Sequence, residues 1–185
     1  MSIIHMLVQT VFELFIFVCL VRSLLFFAGV PRAHPLVHFC MLLTQKLVRP
    51  FQKILPCVKG FETASLMLAL LAACIWSVIN LLWFQKVAAN VTTIGMAILL
   101  GLVLWIQSIL LTYIGVFIVM VILRLAAPEA LLLPNLERIC APLMRPFKML
   151  RIGMFDFSFL PFFICAQVVI STVLPYLTRL ILSLY

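Results

Sequence analysis

The chain has 185 residues, 66% of them hydrophobic and only 10% charged, with a mean hydropathy of +1.32. Soluble domains carry about 45–50% apolar and about 25% charged residues, so a water-soluble fold is excluded and the class is integral membrane protein. The net charge of +8 then points to basic loops against anionic lipid headgroups rather than to nucleic acid, because no basic strip interleaved with aromatics stands outside the apolar runs.

A spanning helix needs about 20 mostly apolar residues, and four segments meet that requirement. The first is expected from Met6 to Ala28. No Lys or Arg precedes Arg22, and the apolar run exceeds the roughly 7–15 residues of a secretory signal core, so this segment is expected to stay in the membrane. The second runs from Ala64 to Phe84. The third lies inside Ile94–Leu123, longer than one straight span requires, so it tilts or begins late. The fourth runs from Ser158 to Leu177, with Pro175 bending or ending it. Arg32, Lys46, Arg49, Lys53 and Lys59 fall between the first two spans, and Arg124, Arg138, Arg145, Lys148 and Arg151 between the last two. These are ten of the 13 basic residues. The positive-inside rule puts both loops in the cytoplasm and both termini outside.

Lys46–Leu55 reads KLVRPFQKIL, and Pro142–Arg151 reads PLMRPFKMLR. In the first, Leu47, Phe51, Ile54 and Leu55 recur at helical spacing opposite Gln45, Lys46, Arg49, Gln52 and Lys53. In the second, Leu136, Ile139, Leu143, Phe147 and Leu150 oppose Arg138, Arg145 and Lys148. Both are expected to be amphipathic helices lying along the headgroups, broken or kinked at Pro50, Pro142 and Pro146. Farther on, GFETAS (Gly60–Ser65) is echoed by MFDFS (Met154–Ser158), with Glu62 opposite Asp156. The predicted fold is an all-α membrane protein. Its four transmembrane helices form two parallel span–amphipathic helix–span repeats, residues 1–85 and 86–185, related by an axis along the membrane normal.

TVFELFIFVCLVR (Thr10–Arg22), TQKLVRPFQKILP (Thr44–Pro56), GFETAS, APLMRPFKML (Ala141–Leu150) and FDFS (Phe155–Ser158) together resemble the YggT family of small bacterial membrane proteins. The resemblance implies an inner-membrane location and a link to osmotic stress tolerance and potassium or ion homeostasis. For other members it implies a link to division, nucleoid placement or assembly of a membrane complex. It implies no defined biochemical activity.

Glu13 is an ionisable residue inside an apolar span, which makes it a functional candidate by default. Arg22 shares its helix, but nine residues at 100° each put the two on opposite faces, and Arg22 is expected to snorkel to the cytoplasmic interface. Counted inward from the outer ends, Gln107 and Ser108 lie at similar depth to Glu13, with Ser77 and Asn80 slightly shallower and Gln167 near the middle of its span. Two readings stay open: a polar layer inside the bundle that ties helices by hydrogen bonds, or a proton or cation site around Glu13. Glu62 and Asp156 are expected at helix starts, where a carboxylate favours the positive helix end, with Arg49 or Arg145 as possible partners. Lys46, Arg49, Lys53, Arg145, Lys148 and Arg151 form the candidate surface for anionic lipid or a partner protein.

Six cysteines without a CxxC pattern are expected to be reduced thiols. His34, His38 and Cys40 lack the further ligands a metal site needs. There is no phosphate loop, no nucleophile elbow and no facing histidines for haem, so neither an enzyme nor a cofactor is expected. Homo-oligomerisation or a membrane-protein partner is compatible with the chain. Two functions follow as expectations: an ion-homeostasis protein built around Glu13, or a scaffold acting through its basic surface.

Overall fold

A computed structural model describes residues 3–30, 35–54, 62–84, 91–126, 133–144, 151–152, 155–156 and 159–183. Among them four helices are long and apolar enough to cross a membrane: Ile3–Ala28, Thr63–Trp83, Thr92–Ala126 and Pro161–Ser183. The first is helix α1 (Ile3–Ala28). It ends in a Schellman turn: Gly29 adopts φ 74°, its N–H reaches the Phe26 carbonyl at 3.1 Å, and the Val30 N–H reaches that of Leu25 at 3.2 Å. Only glycine takes this left-handed φ without steric cost.

Helix α2 (Pro35–Ile54) follows and runs unbroken through Pro50. It is longer than the stretch the sequence marks. Its face toward the bundle is Val37, Cys40, Thr44 and Val48, while Leu47 is exposed together with Phe39, Leu42 and Leu43. Helix α3 (Thr63–Ile79) continues through a π turn (Asn80–Phe84) to complete the second span. Its buried residues are mostly small: Ala64, Ser65, Ala69, Ala72, Ala73 and Ser77. Small side chains let helix backbones approach closely in a membrane, and α3 packs between α1 and α4.

Helix α4 (Val91–Ala126) is one helix of 36 residues, about 54 Å long at 1.5 Å per residue, and it does not begin late. It exceeds the roughly 30 Å hydrocarbon core, so it tilts or projects. Helix α5 (Leu133–Met144) packs on α4 and α1. A bridge of two residues a side, β1 (Arg151–Ile152) with β2 (Phe155–Asp156), is antiparallel, with Arg151 opposite Asp156. The fourth span is α6 (Phe159–Val168), a π turn (Val169–Val173) and α7 (Leu174–Ser183). The helix therefore does not end at Pro175. The wide turn just before it, in which the Leu174 N–H bonds the Val169 carbonyl, relieves the clash a proline ring makes with the carbonyl four residues earlier.

Three apolar clusters hold these elements. Ile16, Cys19 and Leu20 of α1 meet Val48 of α2 and the small face of α3. Leu24, Leu25 and Ala28 join Val37 and Cys40 of α2, Phe117 and Met120 of α4, and Leu136, Ile139 and Cys140 of α5. Leu81, Met96, Ala97 and Val103 pack with Leu174 and Ile181 of the fourth span. The C-terminal ends of α1 and α4 thus share one end of the bundle with α2 and α5.

Candidate functional site

Glu13 opens on a half-open cavity of about 390 Å³ between α1 and α4, with Trp76 of α3 also in its wall. Thr10, Gln107, Ser108 and Thr112 are its other polar lining, and Leu14, Phe17, Leu104 and Leu111 its apolar walls. Three of the hydroxyls turn back on their own helices: Thr10 Oγ1 donates to the Met6 carbonyl, Ser108 Oγ to that of Leu104 and Thr112 Oγ1 to that of Ser108, at 2.7–2.9 Å. The Glu13 carboxylate accepts a 2.8 Å bond from Gln9 Nε2, one helical turn earlier. The structure therefore brings Glu13, Gln107 and Ser108 to one cavity. This is a groove on the side of the bundle with Glu13 exposed, not an interior polar layer, and the carboxylate's partner is local. Asn80 lies apart, in a smaller cavity of about 130 Å³ that also holds Ser77, Gln107 and Thr178, with its Oδ1 3.3 Å from His5 Nε2. Gln167 is exposed on the fourth span.

The second polar site is one the sequence reading missed. Arg22 does not snorkel: it is 2% exposed and forms a two-pronged ion pair with Glu62, itself 1% exposed. Arg22 Nε donates to Glu62 Oε2 and Nη2 to Oε1, both at 2.7 Å. Arg22 Nη1 donates to Thr44 Oγ1 at 2.8 Å, and that hydroxyl donates to the Cys40 carbonyl at 2.7 Å. Ser65 Oγ donates to Glu62 Oε2 at 2.6 Å, and Gln52 Nε2 donates to Oε1. One cluster so ties α1, both halves of α2 and the start of α3. Glu62 is the N-cap residue of α3, but its carboxylate makes no capping bond and its partner is Arg22, while Arg49 is exposed. Burial alone would push the Glu62 carboxyl up; the bonds and charge of Arg22, with Ser65 and Gln52, outweigh it and hold the group below its ordinary 4.5. A hint was present in sequence, since Arg22 and Glu62 are opposite charges near the ends of adjacent spans on one membrane face.

Lys46 and Arg49 are exposed on α2, and Arg124 on α4 stands 3.9 Å from Glu137 of α5, both half-exposed. Lys53 lies in α2 and Arg151 in β1. Arg145 and Lys148 fall outside the described residues, as does His34. Asp156 lies in β2, three residues before α6 begins, and so is not in that helix's first turn. Among the described residues no three His, Cys, Asp or Glu side chains group as a metal site. Cys19, Cys40, Cys74, Cys140 and Cys165 are free. Burial raises the Cys40 thiol and pushes that of Cys140 up to about 11.

The fold and these sites define a multi-pass α-helical membrane protein with a buried ion pair at one end of its bundle and a carboxylate-bearing groove along its side. Residues 1–84, which contain Glu13, Arg22 and Glu62, match the family profile described as CCB3/YggT, so this part of the chain is similar to that family. No curated protein and no solved structure matches the chain.

Proposed function

We propose that the chain acts, without catalysis, in osmotic stress tolerance and ion homeostasis in the bacterial inner membrane, with Glu13 as its proton- or cation-handling group. The observation that carries this reading is the convergence of Glu13, Gln107 and Ser108 on one cavity within the spanning region. A carboxylate at that depth exchanges a proton or cation only if polar groups share its surroundings, and these do. Because the groove is half-open, closing a path around it calls on a second copy or a membrane-protein partner. The two basic loops face the cytoplasm in this reading, and the chain is built of two parallel repeats.

The test is growth of a deletion strain at high osmolarity and at limiting potassium, rescued with wild type or with Glu13→Gln at matched membrane abundance. Rescue by wild type and not by Glu13→Gln is expected. Equal rescue by both removes Glu13 from the mechanism.

One observation favours a scaffold as the second reading. The Arg22–Glu62 cluster fixes α2 against the bundle, leaving Lys46 and Arg49 exposed beside apolar Phe39, Leu42, Leu43 and Leu47. Such a surface suits anionic lipid or a partner protein. In that case charge reversal at Lys46, Arg49, Arg145 and Lys148 abolishes rescue, and Glu13→Gln does not.

A further inference from the structure

We infer that a cavity beside the ion pair is a binding site for the ester-carbonyl region of a membrane phospholipid. The cavity, of about 180 Å³, lies between α1, α3 and α4, on the side of Thr112 away from the Glu13 groove. Its walls are largely apolar: Leu20, Leu66, Ile109 and the ring of Tyr113 are among them. Two buried donors without a partner interrupt that apolar lining. Ser23 is 0% exposed and its hydroxyl has no hydrogen-bond partner. The buried Nε1–H of Trp105 has none either.

The bare hydroxyl of Ser23, like that of Ser77 in the cavity beside Asn80, is out of pattern. Thr10, Thr44, Ser108, Thr112, Ser171 and Thr178 all turn back to the carbonyl four residues earlier. That is the ordinary way for a helical hydroxyl to be satisfied in an apolar medium. Ser23 forgoes it and lines the cavity instead.

An unpaired donor in such surroundings is costly, so the two donors select an occupant that brings an acceptor on an apolar body. Depth selects among such occupants. Ser23 lies about 11 Å from the midpoint of α1 at 1.5 Å per residue, just inside the boundary of a hydrocarbon core about 30 Å thick. Lipid ester carbonyls stand at that boundary, with their acyl chains pointing inward. The cavity is half-open, and its half-exposed walls Leu66, Trp105, Ile109 and Tyr113 form the mouth. An acyl chain can enter from the side while its carbonyl oxygen accepts from Ser23 Oγ and Trp105 Nε1.

The experiment uses the full chain reconstituted with equal amounts of diester and diether phosphatidylglycerol. The two share a headgroup and chains and differ in the carbonyl. The protein is extracted in mild detergent and the lipid that stays bound is weighed by mass spectrometry. Wild type is expected to retain about one lipid per chain, with ester enriched over ether by roughly tenfold for two donors. Ser23→Ala with Trp105→Phe brings that ratio to one, and Ser23→Ala alone, which removes only an unbonded hydroxyl, lowers it while leaving the thermal transition intact. Ser77→Ala and Glu13→Gln leave the ratio unchanged, so failure here is distinct from failure of the ion reading. Equal retention of the two lipids by wild type, a preference that survives the double substitution, or no stoichiometric lipid overturns the assignment.

Discussion

Arg22 and Glu62 can be buried together because each supplies what the other lost with water, and because Thr44, Ser65 and Gln52 fill remaining bonding positions. Removing one partner strands the other. Arg22→Met or Glu62→Gln is therefore expected to cost about 3–5 kcal/mol, read as a fall in the unfolding midpoint in detergent. The paired change Arg22→Met/Glu62→Leu should cost less than either single change, because no buried charge is left alone. The same carboxyl sets an acid limit. Its folded value lies below the ordinary 4.5, so its stabilising contribution is complete above about pH 4.5 and is lost as pH falls through the folded value. The unfolding midpoint should fall in that acid range, and Glu62→Gln should remove this acid-range dependence. The convergence of Glu13 with Gln107 and Ser108 was legible in sequence, because neighbouring spans make rise per residue a fair measure of depth. That Glu13 would be exposed was not, since depth says nothing of rotation about the helix axis. Nor was the ion pair, whose members stand 40 positions apart and meet only once α1 and α3 are rotated against each other by their small-residue packing.

At the level of elements, the tightest constraint is the seat of α4 on α3. A Cβ built on Gly101 would stand 2.8 Å from Cys74 Cα and 2.9 Å from its Sγ. The first contact is to backbone, so the helices themselves must part. Gly101→Ala should destabilise the fold by about 1–3 kcal/mol, although alanine is the better helix former. Gly115 is the control: a Cβ there meets nothing within 4 Å, and Gly115→Ala should be neutral or stabilising by up to about 1 kcal/mol. Comparing the two unfolding midpoints separates helix propensity from close approach. The four spans were readable from hydropathy because length and apolarity alone define them. The fate of the prolines was not. Pro50 and Pro175 both lie inside helices, the second just after a π turn, and neither local propensity nor periodicity reports where a neighbouring turn will absorb the misfit.

For the whole molecule, the arrangement of charge is the argument for the proposed orientation. The C-terminal ends of α1 and α4 pack with α2 and α5 in one cluster, and the start of α3 joins that end through Glu62. The two stretches between the paired spans, α2 and α5 included, carry ten of the 13 Lys and Arg side chains, counting Arg124 at the end of α4. The opposite end, where α4 begins, follows a loop with Lys86 as its single Lys or Arg. Translocating the first end would move many charges across the bilayer and translocating the second would move few, so the proposed orientation keeps the basic end in the cytoplasm. In a cysteine-free background, Lys46→Cys and Glu137→Cys should react with a membrane-impermeant maleimide only in inverted vesicles, and Thr92→Cys only in intact spheroplasts. Both substituted positions at the basic end must label from the same side, because α2 and α5 share one cluster; labelling from opposite sides would contradict the packing itself. Labelling of both from outside would leave the packing intact and invert the orientation, placing the Lys46 and Arg49 surface away from the anionic cytoplasmic leaflet and ending its candidacy as a lipid-reading face.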